Sequence, residues 1–345
     1  MPAEVSIITT IYNGEKWLNQ YFESVYTQTY HGLLELSIYN DGSTDNSKSI
    51  IESWTTKLKT RDINLILFGH TGLPRGVGHG KNVAVRQSSG KYLCFLDADD
   101  EMNECRIEKQ LQAAKSFPNT IVGCRFHRLP ADSTRRYTQW ANNLSHKQLY
   151  TQAYTSHGPT VVMPTWFCRR AIFDNVGGFD EGGKGVPEDL IFFYNHLEIG
   201  GELYRLDADL MMYRYHTDAT TFSVDRKTIW MLRIEFLEKQ VLSHWREFTI
   251  WNAGKQGRRF FRSLSTENQK KVCMFCDVDT RKINKGSYIY ENSQEIPKPR
   301  VPIFHFTQAK TPIIICVKLD LTDGVFEENL KSLKLIEGVD YFHFN

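Results

Sequence analysis

A chain of 345 residues, 41% hydrophobic and 24% charged, is long enough for two domains with cores of their own. A net charge of +2 selects no partner in bulk, 13% aromatic residues argue against a disordered chain, and no apolar run reaches the length of a membrane span. Seven irregularly spaced cysteines suit a reducing compartment better than a disulfide framework.

A first strand-like run begins at Val5, leaving no room for a leader or anchor, so a cytosolic protein without a membrane partner is expected. Val5 to Ile11 reads as a buried strand, broken by Tyr12-Asn13-Gly14. Trp17, Leu18, Tyr21, Phe22 and Val25 then recur at helical spacing. Leu34 to Tyr39 is a second strand, stopping at Asn40-Asp-Gly-Ser-Thr-Asp45, a loop of turn formers and helix caps. A helix carrying Ile50, Ile51, Trp54 and Leu58 leads to a third strand, Ile63 to Phe68. Gly69 to Gly80 reads as a glycine-rich connection whose backbone can approach an anion, with Lys81 adding charge at the start of a helix to Ser88. The other reading of this stretch is a flexible surface loop.

Tyr92 to Leu96 is apolar without alternation, as in a parallel strand buried on both faces. It ends in Asp97, Asp99 and Asp100. Open α/β sheets bind ligands at the carboxyl ends of their strands, and carboxylates crowded there are best tolerated around a hard cation. A divalent metal holding a diphosphate is one reading; a polar turn capping the next helix is the other. The repeated βα pattern predicts a mostly parallel sheet, with Tyr12, Asp41, Lys81 and Asp97 to Asp99 along one edge. Beyond it, Arg106 to Phe117 reads as a helix and Ile121 to Phe126 as a strand. Residues 127–160 read as polar and irregular. Pro187-Glu-Asp-Leu190 opens a helix, and two strand-like runs, Leu203–Leu206 and Leu210–Tyr215, end at His216.

The expected division is a catalytic domain over residues 1–225 and a helical connection plus small Rossmann-like domain over 226–345. In the latter, Phe248–Trp251, a turn with Gly254 and Gly257, a helix, and Lys271–Asp277 outline a dinucleotide-binding βαβ unit. Asn252 stands where the first glycine of that fingerprint belongs. Cys273 and Cys276 form a Cys-x-x-Cys, but in a strand they face opposite sides. Lys255, Arg258, Arg259 and Arg262, with Trp251, Phe260 and Phe261 interleaved, form a candidate RNA surface. Otherwise the aromatics are core and the charges a solvated face.

Taken in order, Val5–Asn13, Asn40–Asp45, Gly80-Lys-Asn82, Phe95–Asp100, Gly177-Gly-Phe-Asp180, Glu188-Asp189 and Tyr213–His216 resemble the family-2 glycosyltransferases over roughly residues 4–225. The resemblance implies the GT-A fold, a metal-dependent inverting transfer and Mn²⁺ or Mg²⁺ as cofactor. It implies that Tyr12 packs on a uracil, that Asp41 accepts its N3–H, and that Thr10 lines the same pocket. Asp97 would hold the ribose and Lys81 would face the nucleotide. Asp99 and His216 would ligate the metal. Glu188 and Asp189 would form the acceptor-side pair, with Asp189 as general base. Thr10 and Lys81 depart from the family, which commonly has Pro and Arg there; Lys81 keeps the charge without the planar fork. Trp251–Arg259 and Phe326–Leu333 add a resemblance to family-2 enzymes that galactosylate queuosine in tRNA. This implies UDP-galactose as donor and queuosine in the tRNA-Tyr anticodon as acceptor. The alternatives are a UDP-N-acetylglucosamine or UDP-galactose transferase acting on a glycan or lipid, and a non-catalytic UDP-sugar or RNA-binding protein.

Overall fold

In the computed structural model, residues 3–155, 158–217 and 219–345 are described. They form two compact units, Met1–Leu149 with Gly158–Asp225, and Tyr150–His157 with Arg226–Asn345.

The first unit begins β1 (Val5–Ile11), α1 (Leu18–Tyr26), β2 (Leu34–Asp41), α2 (Ser47–Lys59), β3 (Ile63–His70), α3 (Val77–Gln87) and β4 (Tyr92–Phe95). Every residue of β4 is buried, and β1 is buried except at Thr10, as expected for strands covered on both faces. β5 (Glu101–Met102), α4 (Arg106–Ser116), β6 (Thr120–Leu129), α5 (Arg135–Asn143), α6 (His146–Thr151), β7 (Phe167–Arg169), α7 (Arg170–Val176), α8 (Glu188–Glu198) and β8 (Glu202–Arg214) complete the unit. The sheet runs β3-β2-β1-β4-β7-β6-β8-β5. The first four strands are parallel, β7 is antiparallel to both its neighbours, and β6 and β8 are parallel. The carboxyl ends of β1, β2 and β4 therefore open on one edge. The core lies between this sheet and its helices, with Leu18, Tyr21, Phe22 and Val25 of α1 on the inner face.

Three local readings change. The stretch expected to be irregular after β6 carries α5 and α6. β8 is one strand rather than two runs; its register with β6 shifts at Cys124–Phe126, a bulge opposite the polar Asp207–Ala208 break. The glycine-rich connection ends early, because α3 starts at Val77 and holds Gly78 and Gly80 within it. A Cβ at Gly80 would lie 2.3 Å from Thr10 Cγ2, and one at Gly78 would lie 2.0 Å from the Asp180 carbonyl oxygen. These glycines bring α3 close to β1 and to the loop after α7. The turn into α3 falls to Gly76, at φ +102°.

The second unit contains α9 (Arg226–Gln240), β9 (Phe248–Trp251), α10 (Lys255–Ser263), α11 (Thr266–Lys270), β10 (Val272–Asp277), α12 (Thr280–Asn284), β11 (Ser287–Ile289), β12 (Arg300–His305), β13 (Ile313–Ile315), α13 (Val325–Ser332) and β14 (Tyr341–His343). Its sheet, β11-β12-β10-β9-β13-β14, is parallel apart from β11. Strand order runs outward from β9 to β10 and β12, then crosses back to β13 and β14. This makes β9/β13 the topological switch point of a doubly wound sheet. The proline-rich stretch Pro297–Pro302 runs into β12, which begins at Arg300.

Candidate active site

The loops after β1 and β2 are bound to each other. Ser43 Oγ accepts the Asn13 amide at 2.9 Å, Asn13 Oδ1 accepts the Thr44 amide at 2.8 Å, and Ser47 Oγ accepts the Gly14 amide at 2.9 Å. Asp45 Oδ2 accepts the Glu15 amide at 3.0 Å. The Asn40–Asp45 run thus braces the β1 loop besides turning into α2. Tyr12 stands beside it with half its surface exposed (51%), a free ring face at the edge of the sheet.

Asp41 ends β2 almost fully buried. Its carboxylate accepts the Arg75 and Gly76 amides at 2.8–3.0 Å and lies 3.1 Å from His70 Nε2. Asp41 therefore anchors the Arg75–Gly76 turn, and a ligand reaching it would use the lone pairs that remain. Thr10 packs under α3, its buried Oγ1 without a hydrogen-bond partner.

Lys81, from the second turn of α3, joins three elements. Its Nζ lies 3.1 Å from Glu188 at the start of α8 and 3.8 Å from Asp97 after β4. Burial alone would lower the Lys81 pKa, but Asp97, Glu188 and Asp189 hold it above the ordinary lysine value. Burial raises the Asp97 pKa, with Asp99 and Glu188 adding repulsion and Lys81 opposing them. Asp189 stands in the first turn of α8, its Oδ1 accepting the Leu190 amide at 2.7 Å. Burial, then the neighbouring Glu188 charge, pushes its pKa up to about 7. A carboxyl poised near neutrality is suited to take a proton from a hydroxyl.

Asp99 and His216 meet directly, Oδ2 to Nε2 at 2.7 Å, and both side chains are partly open to solvent. Arg214, the last residue of β8 and two before His216, ties this pair to the acid loop. Its amide donates to Asp100 Oδ1 and its Nε to the Asp99 carbonyl, both at 2.8 Å, while Nη2 reaches Glu101 at 2.7 Å. The guanidinium lies 4.3 Å from the Trp17 ring, which in turn packs against His216. Asp100 is fully buried with Oδ2 unpartnered, and burial, reinforced by Asp99 and Asp97, raises its pKa well above the usual range.

The site thus brings together Lys81, Asp97, Glu188 and Asp189, and separately Asp99 with His216, along one sheet edge. A carboxylate oxygen and an imidazole nitrogen within reach of one hard cation, beside a buried carboxyl oxygen that lacks a partner, fit Mg²⁺ or Mn²⁺. Among the described residues no group of three or more acidic, His or Cys side chains forms a ready metal cluster.

Three supporting features had no sequence signal. Arg106, fully buried, caps the carbonyls of Phe95 and Pro164 at 2.9 and 3.0 Å beneath the acid loop. In sequence it reads only as the first residue of a helix. Arg214 lies within a motif whose histidine drew the attention. Glu181 gathers His79, Asn82 and Arg86, all on α3. Burial works against its carboxylate, but those three hydrogen bonds bring its pKa down to about 2.

In the second unit, Phe260, Phe261 and Trp251 are buried, so the interleaved aromatics are core. Arg259 packs 3.8 Å from the Trp230 ring centre and Arg258 5.0 Å from that of Tyr288. Lys255 and Arg262 are the exposed cations of α10. Cys276 is fully buried, and burial raises its thiol pKa, which leaves it inert.

Residues 6–177 match the family model described as Glycosyl transferase family 2. A Bacillus subtilis protein named uncharacterized glycosyltransferase EpsJ is 25% identical over 63% of this chain and 62% of its own length. The glycosyltransferase GlyG of Streptococcus pneumoniae is 31% identical over 35% of this chain and 38% of its own length. A teichoic acid poly(glycerol phosphate) polymerase of Staphylococcus epidermidis is 35% identical over 34% of this chain and 15% of its own length. The chain spans at most about six tenths of the length of these relatives. Among solved structures, S. aureus TarS 1–349 in complex with UDP-GlcNAc superposes with a TM-score of 0.55 at 16% identity, covering 78% of this chain and 84% of that one. The fold is thus the expected GT-A-like α/β architecture with a second, smaller α/β unit.

Proposed function

Residues 6–177 belong to glycosyl transferase family 2, and from that premise we propose that the chain is an inverting, metal-dependent UDP-sugar transferase. The observation that carries the reading is the edge shared by β4, α3 and α8. There a buried lysine faces Asp97 and Glu188, the Asp99–His216 pair stands open, and Asp189 has its pKa raised to about 7.

In this reading Tyr12, Thr10 and Asp41 receive the uracil and Asp97 the ribose. Asp99 and His216 hold the divalent cation, which when bound neutralises the diphosphate leaving group as a Lewis acid. Lys81 adds positive charge on the donor side. Asp189 takes the proton of the acceptor hydroxyl as the new oxygen–carbon bond forms at the anomeric carbon. The bond to the phosphate oxygen breaks on the opposite face, and UDP leaves with that electron pair. One displacement converts an α-linked donor into a β-linked product.

The donor proposed is UDP-galactose and the acceptor queuosine in the anticodon of tRNA-Tyr, with the exposed cations Lys255 and Arg262 supporting contact with an RNA backbone. A second reading, transfer to a glycan or polyol-phosphate polymer, is favoured by the relative named as a teichoic acid polymerase. The test is a transfer assay with purified protein, Mn²⁺ and labelled UDP-galactose or UDP-N-acetylglucosamine. It compares queuosine-containing tRNA-Tyr with the same tRNA carrying guanosine. Label only in the queuosine tRNA, from UDP-galactose, is the expected result. Folded, UDP-binding protein that labels neither tRNA would move the assignment to the polymer reading.

A further inference from the structure

The second unit has a cavity of about 200 Å³ where β9, β10 and β13 end, at the switch point of its sheet. Val278, Val317, Val325 and Phe326 supply an apolar wall, and Lys282 and Asn329 supply polar groups. In open α/β sheets this is where ligands enter.

Chemistry narrows the occupant. In a dinucleotide site the acid ending the second strand of the βαβ unit presents its oxygens to a ribose. Asp277 does not. Oδ2 accepts the Ala253 amide at 2.8 Å and Lys282 Nζ at 2.9 Å, and Oδ1 accepts the Val278 and Asp279 amides at 2.9 and 3.0 Å. Asn252, at φ +117°, accepts the Gly254 amide at 2.7 Å, so the turn that would approach a pyrophosphate is closed on itself. What remains open is the apolar wall, the Asn329 amide and that part of the Lys282 ammonium, one-third exposed at the mouth, which its pairs with Asp277 at 2.9 Å and Asp279 at 3.8 Å leave to a ligand. At Gly254 a Cβ would stand 3.3 Å from that ammonium, so the missing side chain keeps space beside it.

We propose that this cavity is a mononucleotide site: the base lies on the Phe326–Val317 wall with its polar edge at Asn329, and the single phosphate meets Lys282. At about 200 Å³ it cannot enclose a whole dinucleotide, and a mononucleotide would keep its phosphate at the mouth, outside the enclosed volume. All its lining residues belong to the second unit, and the proposal stands whether or not the transferase reading does.

The test is calorimetry on the full chain saturated with UDP and Mn²⁺, titrated with AMP, GMP and CMP, the matching nucleosides, and NAD⁺. One monophosphate is expected to bind one per chain below millimolar Kd, at least tenfold more tightly than its nucleoside. Val325 is exposed and lines the cavity, so Val325→Trp should fill it without disturbing the core. This variant should weaken that binding at least tenfold and leave UDP affinity at the parent value. Lys282→Met should remove the preference for monophosphate over nucleoside. No binding by any monophosphate, NAD⁺ binding more tightly than all of them, or full binding in the Val325→Trp protein would each overturn the proposal.

Discussion

Both sheets end in acids at their carboxyl edges, and the two edges treat those acids oppositely. In the second unit Asp277 is buried with four donors on its two oxygens, one of them a lysine ammonium. In the first unit Asp41, ending β2, is tied in the same way, but the acids after β4 and at the start of α8 are left partly unsatisfied: Asp100 keeps a buried oxygen without a partner, and burial raises the pKa values of Asp97 and Asp189. An acid ending a parallel strand is thus no site by itself. What separates an internal strut from a candidate site is how much hydrogen-bonding capacity the fold leaves unused across the whole cluster. The first edge carries unfavourable electrostatics that a cation would relieve, whereas at the second Asp277 is already satisfied.

The largest expected effect falls on Asp189. Asp189→Asn should lower turnover by ~10²–10⁴, the usual worth of a positioned base, while UDP affinity changes little. The pH dependence has a defined sign. With its pKa raised to about 7, Asp189 acting as base would be protonated and unable to take a proton below that pH. In the free enzyme kcat/KM should fall about tenfold per pH unit below that point and level off above it. A pH–rate profile on the purified protein checks this. A profile flat from pH 5 to 8 would remove Asp189 as the base.

Exchanging one change between the edges sharpens the contrast. Asp277→Ala takes the acceptor from three amides and from the part-exposed Lys282 ammonium and should cost ~1–3 kcal/mol of stability in denaturant unfolding. Asp99→Asn should leave that midpoint nearly unchanged yet weaken Mn²⁺ binding, followed by the electron spin resonance of free Mn²⁺ with UDP present. If Asp99→Asn destabilised the protein as much as Asp277→Ala does, the two edges would be alike and the contrast would be lost.

How much of this could be read beforehand follows the same physics. Strands buried on both faces show as apolar runs, and acids interrupting such a run stand out, so β1, β2, β4 and the Asp97–Asp100 loop were legible. Helix α5 was not, because only Ala141 among its residues is buried. Its Tyr137 and Trp140 pack as partly buried side chains, too sparse for a period. The start of α3 was hidden because Gly78 and Gly80 are poor helix formers on their own, and close packing against Thr10 and Asp180 overrides propensity. Within the site the acids and His216 could be named, but Arg106, Arg214 and Glu181 could not. Their work lies in partners far apart in sequence, which no local spacing encodes.

That packing gives an intermediate prediction. Gly80→Ala puts a methyl group into Thr10 and should cost ~1–3 kcal/mol by overpacking. It would also push α3, and Lys81 with it, away from β1. Loss of stability should therefore come with weaker UDP binding. The double variant Gly80→Ala, Thr10→Ser, which removes the methyl nearest the clash, should recover part of both.

The smallest effect on the fold is expected at α10, where it bears on the acceptor. Lys255 and Arg262 are exposed, so reversing both to Glu should move stability by no more than ~0.5 kcal/mol. Arg259 differs, since its guanidinium packs 3.8 Å from the Trp230 ring centre. Arg259→Ala should cost ~1 kcal/mol through lost packing and cation–π attraction, not through lost charge at the surface. If the exposed pair meets an RNA backbone, its reversal should reduce the salt dependence of tRNA affinity by about one to two counterions. Arg259→Ala should leave that slope almost untouched. A double reversal that leaves both tRNA affinity and its salt slope at parent values would strip the RNA reading of its electrostatic support. The basic helix would then be a solvated face over an aromatic core, and an uncharged or polymer acceptor would become the better assignment.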